Sequence, residues 1–197
     1  MPALEFWYDF ASTYSYPAAM RIEGAAQQSG VALRWRPFLL GPIFKAQGWN
    51  DSPFNLYPAK GRYMWRDLER LCAKAQLPLT RPARFPQNSL KAARLALTGE
   101  DLPWIAPFTR AVYTANFASQ KNIAEDETLS GILTALNVDA AGAMERANAP
   151  ANKQRLKDRT DEALRRGLFG APSFLAGDEL FWGNDRLEEA LAWASRP

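Results

Sequence analysis

The sequence contains no histidine and a single cysteine, Cys72, and each scarcity excludes a body of chemistry. Without histidine there is no Ser-His-acid triad, no Cys-His pair, no histidine metal ligand and no histidine general base. One cysteine rules out an intramolecular disulfide and any multi-cysteine metal site. Cys72 itself, on the apolar side of a helical stretch, reads as a small buried hydrophobe. No run approaches the ~18 apolar residues of a membrane span, and Met1 to Phe6 shows no positive leader followed by an apolar stretch. The expectation is therefore a soluble, cytoplasmic protein without a membrane partner. Nor is any Lys/Arg run dense enough for nucleic acid. The net charge is only +3, and the basic residues from Arg155 to Arg166 alternate with Asp158, Asp161 and Glu162 as on a solvated helix face. An enzyme built from this chain has to work with hydroxyls, carboxylates, amines or a borrowed reactive group.

What is present is a globular composition. The 197 residues suit one compact domain, or a small domain carrying a large insertion. An apolar fraction of 47% lies far from the disordered class, and seven Trp with eleven Phe supply a core and an aromatic-lined pocket.

The patterning orders these residues into elements. Leu4 to Asp9 is short, aromatic-rich and followed by small polar residues, which predicts a buried strand. Ser12 and Thr13 offer hydroxyls ahead of a helix from about Tyr14 to Gln28, with Tyr16, Ala19, Met20 and Ala26 at helical spacing and Gly30 as its terminating glycine. Val31 to Arg36 alternates as a second strand, so the chain opens strand-helix-strand with a parallel pair. Pro37 to Lys60, punctuated by Pro37, Gly41, Pro42, Gly48, Pro53 and Pro58, reads as a long irregular loop with a short helical piece at most. Its aromatics Phe38, Phe44, Trp49, Phe54 and Tyr57 argue for function rather than disorder.

From Gly61 to Gly167 the signal is helical: Arg62 to Gln76, Asn88 or Ser89 to Thr98, Trp104 to Ala118, Glu125 to Leu136, Ala140 to Asn148, and Ala151 to Arg166. The last carries Leu156, Ala163 and Leu164 on one stripe. Ser173 to Ala176 and Glu179 to Trp182, separated by Gly177-Asp178, predict a hairpin. Asn184 or Asp185 then caps a terminal helix through Trp193. The order β-α-β, helical block, β-β-α is that of an α/β thioredoxin-like fold with a large all-helical insertion. Residues 1–38 and 167–197 are expected to form the thioredoxin-like domain, and 39–166 the loop plus inserted helices.

Three segments carry candidate chemistry, each with a plainer reading beside it. Ser12-Thr13-Tyr14-Ser15 stands where such a fold keeps Cys-x-x-Cys, at the first strand-to-helix junction. Helix N–H groups and the dipole favour negative charge there and depress thiol pKa values. Serine in both cysteine positions makes disulfide exchange by the protein impossible, yet a hydroxyl can donate to a ligand's thiolate. Lowering a thiol from about 8.5 by two units makes it largely thiolate at neutral pH, for ~2.7 kcal/mol of differential stabilisation. The plainer reading is that Ser12 and Thr13 cap the helix. Ala171-Pro172 suggests a cis bond presenting the Ala171 backbone to an extended peptide, or else an ordinary strand-entry proline. Asn184-Asp185 can hold an amino group on the Asp185 carboxylate and a carboxylate on the helix-start N–H groups, or simply cap the helix. Lys60 and Asn50, in or beside the aromatic loop, can contact a ligand carboxylate and amide, although most lysines are only solvated.

Together these segments resemble the kappa-class glutathione transferases and, more closely, the bacterial 2-hydroxychromene-2-carboxylate isomerases of the DsbA-like thioredoxin superfamily. The matching stretches are Phe6 to Tyr16, Lys60 to Met64, Arg166 to Phe174 and Leu180 to Arg186, in family order across nearly the whole chain. The resemblance implies a homodimeric, glutathione-dependent enzyme acting on a small aromatic oxo-acid, with no metal. Ser12 falls on the catalytic serine that hydrogen-bonds the glutathione sulfur, with Thr13 and Tyr14 beside it. Ala171 and Pro172 fall on the turn whose backbone pairs with the cysteinyl unit. Asn184 and Asp185 fall on the pair holding the γ-glutamyl end, and Lys60 and Asn50 on loop residues near the remaining polar atoms. The family's Ser-Pro-Tyr or Ser-Pro-Phe is here Ser12-Thr13-Tyr14, a departure that bears on substrate shape more than on thiol binding. Isomerisation by reversible thiolate addition is the leading expectation. A transferase forming stable conjugates and a noncatalytic glutathione- or peptide-binding protein are its rivals, and a disulfide oxidoreductase is the weakest.

Overall fold

A computed structural model describes residues 2–196. Four strands form one mixed sheet: β1 (Ala3–Tyr8), β2 (Ala32–Pro37), β3 (Ser173–Ala176) and β4 (Glu179–Trp182), in the spatial order β2-β1-β3-β4. β1 and β2 are parallel, while β1 with β3 and β3 with β4 are antiparallel. Helix α1 (Ser15–Gln28) makes the crossover between the parallel pair. This is the thioredoxin-like arrangement expected from the element order.

β1 is a central strand, and its alternation sorts its residues between two faces. Leu4, Phe6 and Tyr8 enter the larger core with Tyr16, Ala19 and Ile22 of α1. Trp7 enters a smaller core on the opposite face with Phe38, Ile43, Leu168 and Leu175. Phe6 stacks on Tyr8 at 4.9 Å and on Phe174 of β3 at 5.6 Å between ring centroids. Truncating a buried ring of this kind costs roughly 3–5 kcal/mol, so the strand that delivers the candidate site is among the most firmly held parts of the chain.

The segment from Pro37 to Lys60 is more regular than its prolines suggest. It folds as α2 (Leu40–Ala46), α3 (Pro53–Leu56) and the first turn of α4 (Pro58–Lys74). Pro42, Pro53 and Pro58 all fall in first turns, where a missing N–H breaks no helical bond and the fixed φ is already helical. Ser52 caps α3 by accepting the Phe54 N–H at 3.3 Å. These prolines start helices instead of breaking them.

The inserted helices follow as α5 (Leu90–Thr98), α6 (Ile105–Phe117), α7 (Asp126–Ala135), α8 (Ala140–Asn148) and α9 (Pro150–Arg165). α6 sends Phe108, Val112, Tyr113 and Phe117 into the larger core, which therefore runs unbroken from sheet to helices. On α9 the stripe differs from the one expected: Asn152, Leu156, Thr160 and Ala163 are buried, whereas Leu164 is exposed. The two polar members answer backbone groups, Asn152 Nδ2 donating to the Arg94 and Ala147 carbonyls and Thr160 Oγ1 accepting the Leu39 N–H. After the hairpin, Asn184–Arg186 form a single 3-10 turn before α10 (Leu187–Ala194). Neither Asn184 nor Asp185 caps that helix with its side chain; Glu188 and Glu189 in the first turn face its positive end instead. No described helix is long and apolar enough to cross a membrane.

Candidate active site

The chain leaves β1 at Tyr8 and turns sharply before α1, and Asp9 holds that turn. Its backbone carbonyl accepts the Ser12 N–H at 2.9 Å and the Tyr113 hydroxyl at 2.9 Å. Both carboxylate oxygens are engaged: Oδ1 accepts the Ala11 N–H at 2.8 Å and Oδ2 the Leu40 N–H at 2.7 Å. Burial pushes the Asp9 carboxyl above its ordinary pKa, against the opposing pull of the Leu40 N–H, the Ser89 hydroxyl and the Ala11 N–H. One residue on, Asn116 Nδ2 of α6 donates to the Phe10 carbonyl at 2.9 Å. The loop is thus fastened from β1, α2 and α6 together.

That fastening presents Ser12 in one orientation. Its Oγ accepts the Ser15 N–H at 3.3 Å and donates to the Ala171 carbonyl at 2.9 Å. Ser12 consequently answers a helix N–H and also reaches across the chain to the second candidate segment. The Thr13 carbonyl accepts the Tyr16 N–H at 3.2 Å, placing Thr13 in the turn ahead of α1 and outside the helix. Among the described residues, the N–H groups of Thr13 and Tyr14 have no protein acceptor. Ser15, in the second position of the motif, is fully buried and its Oγ has no hydrogen-bond partner.

The Ala171-Pro172 bond is cis, the first of the two readings its sequence allowed. Ala171 lies beside the strand pair with its carbonyl on Ser12 and its N–H without an acceptor among the described residues. The Pro172 carbonyl accepts the Gly183 N–H at 3.0 Å, which brings Asn184-Asp185 alongside. Gly183 has φ 116°, a backbone conformation that side-chain-bearing residues rarely adopt, so glycine is what makes the turn into Asn184-Asp185. Asn184 is buried, its side-chain Oδ1 accepting Arg21 Nε at 3.2 Å and its carbonyl a second Arg21 nitrogen. Asp185 is exposed, with Arg186 Nε 3.8 Å away. Three of the candidate segments are therefore linked in space: Ser12 to Ala171, and Pro172 through Gly183 to Asn184 and Asp185.

The remaining candidates stand apart from that chain of hydrogen bonds. The Tyr14 hydroxyl donates to Asp67 of α4 at 3.0 Å and its ring packs 6.2 Å from Phe54. Burial first, and then the Asp67 bond and charge, hold the Tyr14 phenol well above its ordinary pKa. Lys60, exposed on the first turn of α4, lies 4.8 Å over the Tyr57 ring. Asn50 is exposed in the turn before α3 and, among the described residues, makes no hydrogen bond.

Several contributors carry no motif of their own. Asp9, Tyr113 and Asn116 set the turn, Arg21 sets Asn184, and Asp67 sets Tyr14. Only Asp9 had a signal, as the polar residue ending an aromatic strand. Phe169 and Trp182 form an exposed aromatic pair, centroids 5.0 Å apart, next to Gly170-Ala171. A Cβ on Gly170 would come within 2.5 Å of the Trp182 indole nitrogen. Cys72 is buried and pushed up to about 11 by that burial, which keeps it an inert thiol.

The site offers a hydroxyl beside two unclaimed N–H groups in the turn into α1, the Ala171 peptide with its carbonyl on Ser12 and its N–H without an acceptor among the described residues, and a carboxylate at the next turn. That combination suits an anionic sulfur or oxygen carried on a short peptide. Comparison with known proteins agrees with the fold. A profile of the DSBA-like thioredoxin domain matches residues 3–192. A 2-hydroxychromene-2-carboxylate isomerase of Sphingobium xenophagum is 32% identical over 187 residues, covering 94% of each chain. Glutathione S-transferase kappa 1 of Homo sapiens is 28% identical over 199 residues, covering 94% of this chain and 87% of its own. The solved structure of a 2-hydroxychromene-2-carboxylate isomerase superposes with a TM-score of 0.86 at 26% identity, covering 96% of this chain and 93% of the other.

Proposed function

This chain belongs to the DSBA-like thioredoxin family, and from that premise we propose that it is a glutathione-dependent isomerase of 2-hydroxychromene-2-carboxylate or a related aromatic oxo-acid. The observation that carries the reading is the hydrogen bond from Ser12 Oγ to the Ala171 carbonyl, 2.9 Å long, which joins two segments 159 residues apart in the chain.

The residues present fit the tripeptide. The Ser12 hydroxyl and the N–H groups of Thr13 and Tyr14 receive an anionic sulfur. Ala171 supplies one N–H and one carbonyl to the cysteinyl peptide unit, with Pro172 fixing the turn. The Asp185 carboxylate receives the γ-glutamyl ammonium, and Asn184, held by Arg21, positions it. Lys60 and Asn50 serve the glycyl end from α4 and the turn before α3. When bound, glutathione supplies the nucleophile, a thiolate that adds reversibly to an α,β-unsaturated oxo-acid and so permits bond rotation or ring opening.

The protein's part is electrostatic. Ser12 and the α1 N-terminus favour the ionised sulfur, and no histidine base is needed to generate it. Tyr14, Phe54, Phe169 and Trp182 offer apolar faces for a flat aromatic substrate. The reading takes residues 39–166 as a unit inserted into the thioredoxin-like part, and it includes a homodimer in the cytoplasm. Replacement of Ser12 by alanine is expected to reduce glutathione-dependent isomerisation at pH 7 on the order of tenfold to a hundredfold, and to cost about 1–3 kcal/mol of stability as the Ala171 carbonyl and the Ser15 N–H lose their partner. Wild-type protein without glutathione-dependent turnover of such substrates would overturn the proposal. The similarity to kappa-class transferases supports a second reading, conjugation, which a stable adduct with chlorodinitrobenzene would reveal.

A further inference from the structure

The single proton of Ser12 is already committed. Its hydroxyl donates to the Ala171 carbonyl at 2.9 Å, and its oxygen accepts the Ser15 N–H at 3.3 Å, so the group is held from both sides. Ser12 is also nearly buried, at 7% exposure. A sulfur entering the site receives this proton only if the hydroxyl turns away from Ala171. The carbonyl then loses the one protein donor it has among the described residues, a cost that falls on the thiolate-bound state unless another donor takes its place.

A cysteinyl unit carries such a donor. Its amide N–H and its sulfur sit on neighbouring carbons, and can face the Ala171 carbonyl and the Ser12 hydroxyl together. On the glutathione reading above, we propose that this site activates only thiols bearing an N–H on the carbon adjacent to the thiol-bearing carbon, because that N–H replaces Ser12 at the Ala171 carbonyl and releases the Ser12 hydroxyl to the thiolate. The exchange makes the thiol's acidity depend on an amide two bonds from its CH₂ group. It also separates activation from affinity. Simple thiols with no such N–H can enter the site, but leave Ser12 bound to Ala171 and keep a higher pKa.

The test uses the full chain with two probes, glutathione and a depsipeptide analogue in which an ester oxygen replaces the cysteinyl N–H. The pKa of each bound thiol is read from thiolate absorbance near 240 nm at saturating protein, and is referred to the same thiol free in solution. Glutathione is expected to show the larger lowering, by about one unit, which is tenfold more thiolate near neutral pH. In the Ser12→Ala protein that difference is expected to vanish, since no hydroxyl remains to be released. Equal lowering for both probes in the wild-type protein overturns the inference, as does an analogue that fails to bind at all, since the N–H would then act on affinity alone. If glutathione itself does not bind, the reading on which the inference rests falls with it. Because the central comparison is made on unaltered protein, it does not depend on how a variant folds.

Discussion

Asp9 shows how much of the site rests on a residue that need never touch a ligand. Its two carboxylate oxygens and its carbonyl hold Ala11, Ser12, Leu40 and Tyr113 in place while the group itself is 3% exposed. Burial raises its pKa in the folded state, so the folded protein retains this proton to higher pH than the unfolded chain does. Between the unfolded value near 4 and the raised folded one, the native state binds more protons, and this contribution to stability falls as pH rises. Below both values, and above both, it is flat. Urea unfolding of wild type and Asp9→Asn across that range is expected to show wild type losing ground relative to the variant as pH increases. A gain for wild type over the same window would show that hydrogen bonding outweighs desolvation at Asp9.

At the scale of elements, the α3–α4 corner is the part that sequence patterning rendered least well. A proline-rich stretch reads locally as a loop, because proline's effect depends on whether it falls in a first turn or an interior one. Three prolines in first turns convert that stretch to helix and carry Phe54 to Tyr14 and Lys60 to Tyr57. The corner closes tightly at Gly61, where a Cβ would be driven into the Phe54 carbonyl oxygen. Since backbone cannot yield as a flexible side chain does, Gly61→Ala is expected to cost about 1–3 kcal/mol, measurable as a drop in Tm. By contrast, the atom facing Gly170 belongs to the exposed Trp182 side chain, which can swing aside.

Across the whole molecule, a charged network binds the sheet to the inserted helices. Glu100, with a side chain only 7% exposed, takes Arg36 of β2 together with Arg159 and Arg155 of α9. Arg36 also reaches Glu5 of β1, which Arg166 meets from the end of α9. Burial works to raise the Glu5 pKa, but the Trp7 N–H, Arg36 and Arg166 together outweigh it and hold the carboxyl low. Removing the central anion leaves Arg36 and Arg159, both largely buried, facing one another. Glu100→Gln is therefore expected to cost about 3–5 kcal/mol in denaturant unfolding. Breaking the exposed Arg66–Glu69 pair should cost no more than about 0.5 kcal/mol.

The sequence by itself determined the strands and most helices, because periods of 2 and 3.6 and the cap residues are local signals. The hairpin at Ser173–Ala176 and Glu179–Trp182 lies where its Gly-Asp turn put it, and helix α8 keeps its expected bounds. The thioredoxin-like order of elements was equally legible. Side-chain orientation was not. Whether Ser12 caps a helix or reaches a distant carbonyl depends on where β3 docks against β1, and it turns out to do both. Asn184 looked like a cap, and packing against α1 turned it toward Arg21 instead. Glu100 has no motif and gains its role only where β2 and α9 converge. These outcomes arise between residues far apart in the chain, where packing and desolvation decide and local pattern carries no information. For Ser12, the sequence supplied the hydroxyl, and only the tertiary structure decided which acceptor holds its proton.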